Sequence, residues 1–352
     1  MGKKHHYVPQ FYLRNFSSTD SKKLINCYSI KNDTFYRNVS IKNQACRQNF
    51  YDLDGEAETF LSDVEGLFAP TIKRLIQSPE LISNYDTKQI VLYFLVLGYV
   101  RTTKFLANHE YIFSQMADYL SHIRPEYKDD IDVELRPNPQ TRGRLAISSV
   151  PDGVKSISDL HVCALHNVTE RDFITSDTPV NLYNQFLEEK KYHRSSRGAS
   201  LLGATFFLPL SNKLIIFVYD SSVYDVTLPK GCITNREDVN SINKIQMLHS
   251  EQTIFYQSCY SEKWIKKYLR EITDHRPAKT ANIHFAKKSH EDDNSTRFEV
   301  VSDFRTEPKG AEMLMASHNE NMYAGIKLSF MDIKKHLKVM PLGFYPRRST
   351  SR

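Results

Sequence analysis

The hydrophobic period of this chain changes part-way along it, and that change limits the folds open to it. From 56 to 77 the apolar residues Phe60, Leu61, Val64, Leu67, Phe68, Ile72 and Leu75 recur three and four positions apart, as on one face of a helix, and Ser78-Pro79 ends the run. A second helix is expected from a cap near Asp86-Thr87 through Ile90 to Thr103, and a third over 110–123. Beyond residue 145 the pattern turns to short β-branched and aromatic runs at 159–168, 172–175, 204–210 and 214–219, punctuated by Pro, Ser and Asn, which predict a sheet. Helical spacing returns at 236–249 through Val239, Ile242, Ile245 and Leu248, followed by a strand at 253–256 and a helix at 262–269. The class is α+β: an N-terminal hairpin and helical block packed with a mixed or antiparallel sheet.

The hairpin is expected at 24–30 and 35–41 across Lys31-Asn32-Asp33-Thr34. Pro125, Pro137 and Pro139, with Lys128-Asp129-Asp130 and Arg136 between them, suggest an exposed connector. The chain then divides into a motif, hairpin and helical block (1–124), the connector (125–145), a sheet-containing region completing the same site (146–340) and a flexible tail (341–352). A second hairpin with a mobile tip is expected around His284 and His290. With 352 residues, 40% of them hydrophobic, the chain can bury one large core or two ordinary ones.

The longest apolar run, 90–100, is too short for a bilayer, which needs roughly 20 residues, so a buried helix and no membrane are expected. No apolar signal region follows Met1-Gly2-Lys3-Lys4, which points to the cytoplasm. Cys27, Cys46, Cys163, Cys232 and Cys259 are odd in number and contain no Cys-x-x-Cys pair, so they read as reduced thiols. A net charge of +6 favours anionic partners only mildly.

Four clusters carry possible chemistry. The opening His5-His6-Tyr7-Val8-Pro9-Gln10-Phe11-Tyr12-Leu13-Arg14-Asn15-Phe16 packs imidazoles, an amide and a guanidinium between apolar anchors, and a short helix after Pro9 would put Gln10 and Arg14 on one face. In Phe173-Ile174-Thr175-Ser176-Asp177-Thr178-Pro179-Val180 an apolar strand ends in polar residues; Asp177 can ligate a metal, orient a histidine or take a proton, or merely cap a turn, while Thr175 and Ser176 supply donors. Asn243 and Gln246 share a helix face, either solvated or holding a base or a backbone. Arg101 follows the apolar run and can reach an internal anion or form a buried ion pair, with Asp177 as one partner.

Together with Pro209-Leu210-Ser211, these motifs resemble, in order and over residues 5–260, the bacterial domain-of-unknown-function 4238 family. The resemblance implies a part in bacteriophage defence, with a phage-derived trigger, and supplies no reaction. It also implies that the motifs converge: His5, His6 and Asp177 as catalytic groups, and Gln10, Arg14, Arg101, Thr175, Ser176, Asn243 and Gln246 as substrate-binding groups. Such a set suits phosphodiester hydrolysis in nucleic acid or a nucleotide, with a divalent metal as the cofactor to test for. The rival is a non-catalytic sensor binding an anionic ligand or phage component; the third reading is a network that only locks the N-terminus to the core. His5-His6-x-x-Pro9 is also similar to a stretch of ββα-metal nucleases, but only four residues precede His5, and the segment after Pro9 is aromatic. Phosphate-loop, nucleophile-elbow and His-Glu-x-x-His motifs are absent from the sequence.

Overall fold

The computed structural model describes residues 4–51, 56–191, 198–276, 284–292, 295–301, 311–314 and 324–338. The helix predicted from the apolar spacing is present as Glu56–Gln77, burying Leu61, Phe68, Ile72 and Leu75. The next helix, Tyr85–Val100, begins slightly earlier than expected, because the Asn84 side chain accepts the Thr87 N–H at 3.1 Å and caps it. It also ends earlier. Thr102 caps a separate helix, Thr103–Ile123, by accepting the Phe105 N–H, and the two helices meet at 63°. That bend turns Arg101 inward, where it is 2% exposed. No single helix among the described residues is long and apolar enough to cross a membrane.

Residues 125–145 are largely exposed, as a connector would be, but they are helical: a 3-10 turn at Pro125–Tyr127, then the helices Lys128–Leu135 and Pro139–Ser148. Arg136 ties this stretch to the preceding helix through Asp118 at 2.5 Å.

Two sheets organise the rest. A four-stranded antiparallel sheet runs in the order Thr34–Ser40, Leu24–Ser29, Thr253–Tyr256, Thr175–Ser176, so the N-terminal hairpin pairs with a strand more than 200 residues away. A five-stranded sheet runs Cys232–Ile233, His161–Asn167, Leu214–Tyr219, Thr205–Pro209, Asn181–Tyr183; it is antiparallel except for the parallel first pair. The α+β class with antiparallel and mixed sheets is what the sequence pattern predicts.

The sheets stand between two hydrophobic cores. Leu214, Ile216 and Val218 belong to one core, while Ile215, Phe217 and Tyr219 belong to the other. Phe206 and Leu208 part from Phe207 in the same way, as does Ile25 from Tyr28 in the other sheet. Side chains alternate across a strand, so a sheet covered on both faces must be apolar at successive positions, which is why Leu-Ile-Ile-Phe-Val-Tyr lacks alternation. The opening motif and the helices between 56 and 157 cover one face. The helices Arg236–His249 and Glu262–Ile272 cover the other. The expected hairpin near 284–301 is present as His284–Asp292 and Ser295–Val301; its tip, residues 293–294, and the expected tail, 341–352, lie outside the described residues.

Candidate functional site

The opening motif is locked down from its first described residues. Lys4–His6 pairs antiparallel with Cys46–Gln48, placing His5 opposite Arg47 and His6 opposite Cys46. His5 is 1% exposed and stacks on the Tyr51 ring at 5.9 Å between centroids. Its Nδ1 accepts the Tyr51 N–H at 3.2 Å, which puts the proton of a neutral ring on Nε2. His6 is half-buried, with Nε2 3.1 Å from the Lys42 carbonyl oxygen. Burial lowers its pKa, outweighing the Lys42 hydrogen bond and the carboxylates of Glu58 and Glu65.

Arg101 clasps this segment. Its Nη1 donates to Glu65 Oε1 at 2.8 Å, its Nη2 to the His6 carbonyl oxygen and its Nε to the Tyr51 hydroxyl at 3.3 Å; that hydroxyl in turn donates to the Arg101 carbonyl oxygen at 3.1 Å. Burial opposes the guanidinium charge, yet Tyr51 and Glu65 leave its pKa raised. The buried ion pair expected of Arg101 therefore exists, but its partner is Glu65 rather than Asp177. Glu65 carries a signal that sequence reasoning passed over: it stands at a polar break in the stripe Leu61, Glu65, Phe68, Ile72 on the Glu56–Gln77 helix.

Asp177 belongs to a second network. It is 1% exposed, and it accepts the backbone N–H groups of Glu251, Gln252 and Thr253 at 2.9, 2.6 and 3.2 Å. Burial pushes its carboxyl up to about 6, against the lowering effect of those three amides. The turn it caps is thus about 75 residues away in sequence, not its own. His6 makes no hydrogen bond to Asp177 among the described residues; the charges acting on His6 are Glu58, Glu65 and Arg101. The motif side chain that feels Asp177 is Tyr7, whose hydroxyl pKa is raised by burial and then by Asp177 and Glu251.

The amides of Asn243 and Gln246 hold the 172–181 segment, the first through backbone and the second through backbone and side chains. Asn243 and Gln246 are 0% and 1% exposed, which excludes a solvated helix face. Asn243 accepts the Ile174 N–H at 3.1 Å and donates to the Asp172 carbonyl oxygen at 2.9 Å. Gln246 donates to the Ser176 hydroxyl at 2.7 Å and the Thr178 carbonyl oxygen at 2.9 Å, and accepts from Asn181 at 2.6 Å. Thr175 joins the opening motif to the sheet: Tyr12 donates to the Pro209 carbonyl oxygen at 2.6 Å, so the Thr175 hydroxyl, 2.7 Å away, donates to Tyr12. Tyr12, Tyr51 and Glu65 are the structural members that composition did not single out.

The motifs therefore converge through neighbouring buried networks, and two members point elsewhere. Gln10 is half-buried and Arg14 is exposed, one helical turn apart, with the Arg14 N–H bonded to the Gln10 carbonyl oxygen. Among the described residues no three His, Cys, Asp or Glu side chains are grouped as a metal site requires. A groove of about 1030 Å³ opens between the Glu56–Gln77, Tyr85–Val100 and Pro139–Ser148 helices, walled by Phe60, Leu67, Tyr93 and Ile147; none of the expected site residues lines it.

A family model described as a protein of unknown function, DUF4238, matches residues 4–259. The chain belongs to the DUF4238 family. No curated protein and no solved structure matches it. The matched span includes both networks and stops just past the Thr253–Tyr256 strand, the last element that Asp177 and the N-terminal hairpin need.

Proposed function

We propose that this DUF4238 protein serves bacteriophage defence as a recognition module for an anionic ligand, with its buried polar motifs acting as the clasp that shapes the fold. The observation that carries the reading is the different employment of two arginines. Arg101 spends its guanidinium on Glu65, the His6 carbonyl and Tyr51, whereas Arg14 is exposed, has no ion-pair partner among the described residues, and lies beside Gln10. A guanidinium and an amide one turn apart offer donors to a phosphate or carboxylate.

Cells carrying Arg14→Glu should lose protection in a phage challenge while the purified variant melts within a degree or two of wild type. Affinity for the anionic trigger should fall on the order of tenfold, as expected when one charge-assisted hydrogen bond of roughly 1.4 kcal/mol is lost. Full protection by Arg14→Glu would sink the proposal.

One observation favours the phosphodiesterase reading. His6 donates from Nε2 to Lys42, and burial favours its neutral form, which leaves Nδ1 as an acceptor of the kind a general base needs. Incubation with labelled RNA, DNA and nucleotides, with and without divalent metal, separates the two: turnover that His6→Ala abolishes supports hydrolysis, and no turnover leaves recognition.

A further inference from the structure

The apolar arc of the Glu56–Gln77 helix is wider than the core it serves. Leu61, Phe68, Ile72 and Leu75 are buried, whereas Phe60 and Leu67, seven positions apart on the neighbouring stripe, stand exposed. With Val64 and with Tyr93 of the next helix they wall the groove of about 1030 Å³. Scattered apolar side chains on a surface are ordinary, but several lining one continuous groove of this size mark an interaction surface. Gly66 lies in the same groove, and a Cβ added there would meet nothing within 4 Å. A glycine inside a helix costs about 0.5–1 kcal/mol relative to alanine, and its use at this point is to let a second backbone come close.

The charges along the same helix indicate what covers the groove. Its first half carries the acids Glu56, Glu58 and Asp63, with Glu65 turned to Arg101, and its second half carries the bases Lys73 and Arg74. Asp63, Lys73 and Arg74 are exposed and have no ion-pair partner among the described residues; Arg74 Nη2 donates to Thr71 Oγ1, on its own helix, at 3.4 Å. A helix with this polarity is complementary to a second copy of itself laid antiparallel. A two-fold axis at Leu67 sets Leu67 against Leu67 and, seven residues to either side, Phe60 against Arg74, a guanidinium over an aromatic ring. It also brings Asp63 within one turn of Arg74 on the other copy. A wholly apolar ligand would leave these charges unmatched.

We propose that the groove seats a second copy of this chain, in a two-fold dimer whose Glu56–Gln77 helices cross antiparallel at Leu67, each copy placing Phe60 and Leu67 against the groove of the other. Burial of the apolar stripe supplies the affinity, and the Asp63–Arg74 pairs set the orientation, because exposed ion pairs add little to stability.

Analytical ultracentrifugation of the full chain from about 10 nM to 100 µM tests this. The expected mass is that of two chains. Leu67→Glu changes a side chain that the core does not use, so it should weaken the dimer about tenfold or more while the circular dichroism spectrum stays that of wild type. Asp63→Arg and Arg74→Glu should each weaken it several-fold, and the double variant should regain wild-type association, because the exchanged charges still face each other across the two-fold axis. A single-chain mass at every concentration, a dimer indifferent to Leu67→Glu, or a double variant no tighter than either single one would each overturn the proposal. Saturable uptake of cis-parinaric acid by a monomeric wild-type chain, lost in Leu67→Glu, would assign the groove to a lipid and overturn it too.

Discussion

At the scale of single residues, the polar motifs are distinguished by what they hold. Arg101 is the clearest case: a buried guanidinium with an acid, a carbonyl and a phenol around it. Replacing it with Met leaves the His6 carbonyl and Glu65 without their donor, but Glu65 is 24% exposed and can turn to water, so the loss is that of unmade buried hydrogen bonds, about 1–3 kcal/mol. Arg101→Met should therefore lower unfolding stability by roughly that amount in a denaturant titration. Asp177 gives a pH signature. Its folded carboxyl is raised to about 6 by burial, above the ordinary Asp value of 3.8, so its contribution to stability is full below that value and fades as pH rises through 6. In melts between pH 4 and 7, Asp177→Asn should flatten this part of the curve; an unchanged slope would show that other groups produce it. Gly203 is a third point: at φ +79°, an added Cβ would lie 2.8 Å from Phe186 Cβ and 3.0 Å from Asn184 Oδ1. Gly203→Ala should cost about 1–3 kcal/mol, measured by the same titration.

At the scale of elements, local chemistry and tertiary demand agree closely except at one junction. The Glu56–Gln77 and Arg236–His249 helices and the Leu214–Tyr219 strand have the bounds their apolar spacing predicts, although Phe60 and Leu67, expected on the buried face of the first, stand exposed at 53% and 69%. The break at Arg101-Thr102 does not: the one helix-weakening residue nearby, Gly98, lies inside the Tyr85–Val100 helix, which runs on through it. What interrupts it is long-range: Arg101 is drawn to Glu65 and His6, and the Thr103 hydroxyl and the Lys104 ammonium are drawn to Glu251 and the His249 carbonyl. Thr102 then serves as a cap, so Thr102→Ala should destabilise by about 1 kcal/mol in thermal or chemical melts. The connector region shows the opposite effect. Prolines at 125 and 139 stand in the first turns of helical segments, where a missing N–H costs little, so they start structure that composition alone reads as linker.

At the scale of the whole molecule, the sheets partition the chain into two cores that ignore the expected boundary near residue 124. Tyr12 reaches Thr175 and Pro209, and the 24–40 hairpin needs the Thr253–Tyr256 strand beside it. Residues 1–124 expressed alone should consequently show no cooperative melt, whereas the full chain should unfold as a unit through these elements. A sharp transition in the fragment would show that the helical block is self-sufficient. The closing of long loops by the 12–209 and 27–255 pairings also makes this a topology dominated by non-local contacts, for which slow folding is expected.

The α+β class, the long amphipathic helices at 56–77 and 236–249, most strands and the list of polar motifs were legible along the chain, because hydrophobic periodicity and turn chemistry are local properties; the helices Lys128–Leu135, Pro139–Ser148 and Val150–Ile157 were not. The sequence also marked Arg101 as buried-facing and Asp177 as the end of a strand. The partners were chosen by tertiary contact alone: Glu65 for Arg101, the 251–253 amides for Asp177, the 172–181 segment for Asn243 and Gln246. The reason is physical. A buried polar group must find a complement, but periodicity along the chain carries no record of which distant donor or acceptor the fold brings to it. The same limit hid a cavity between 185–189, 235–241 and 327–333, whose lining comes from three separated segments.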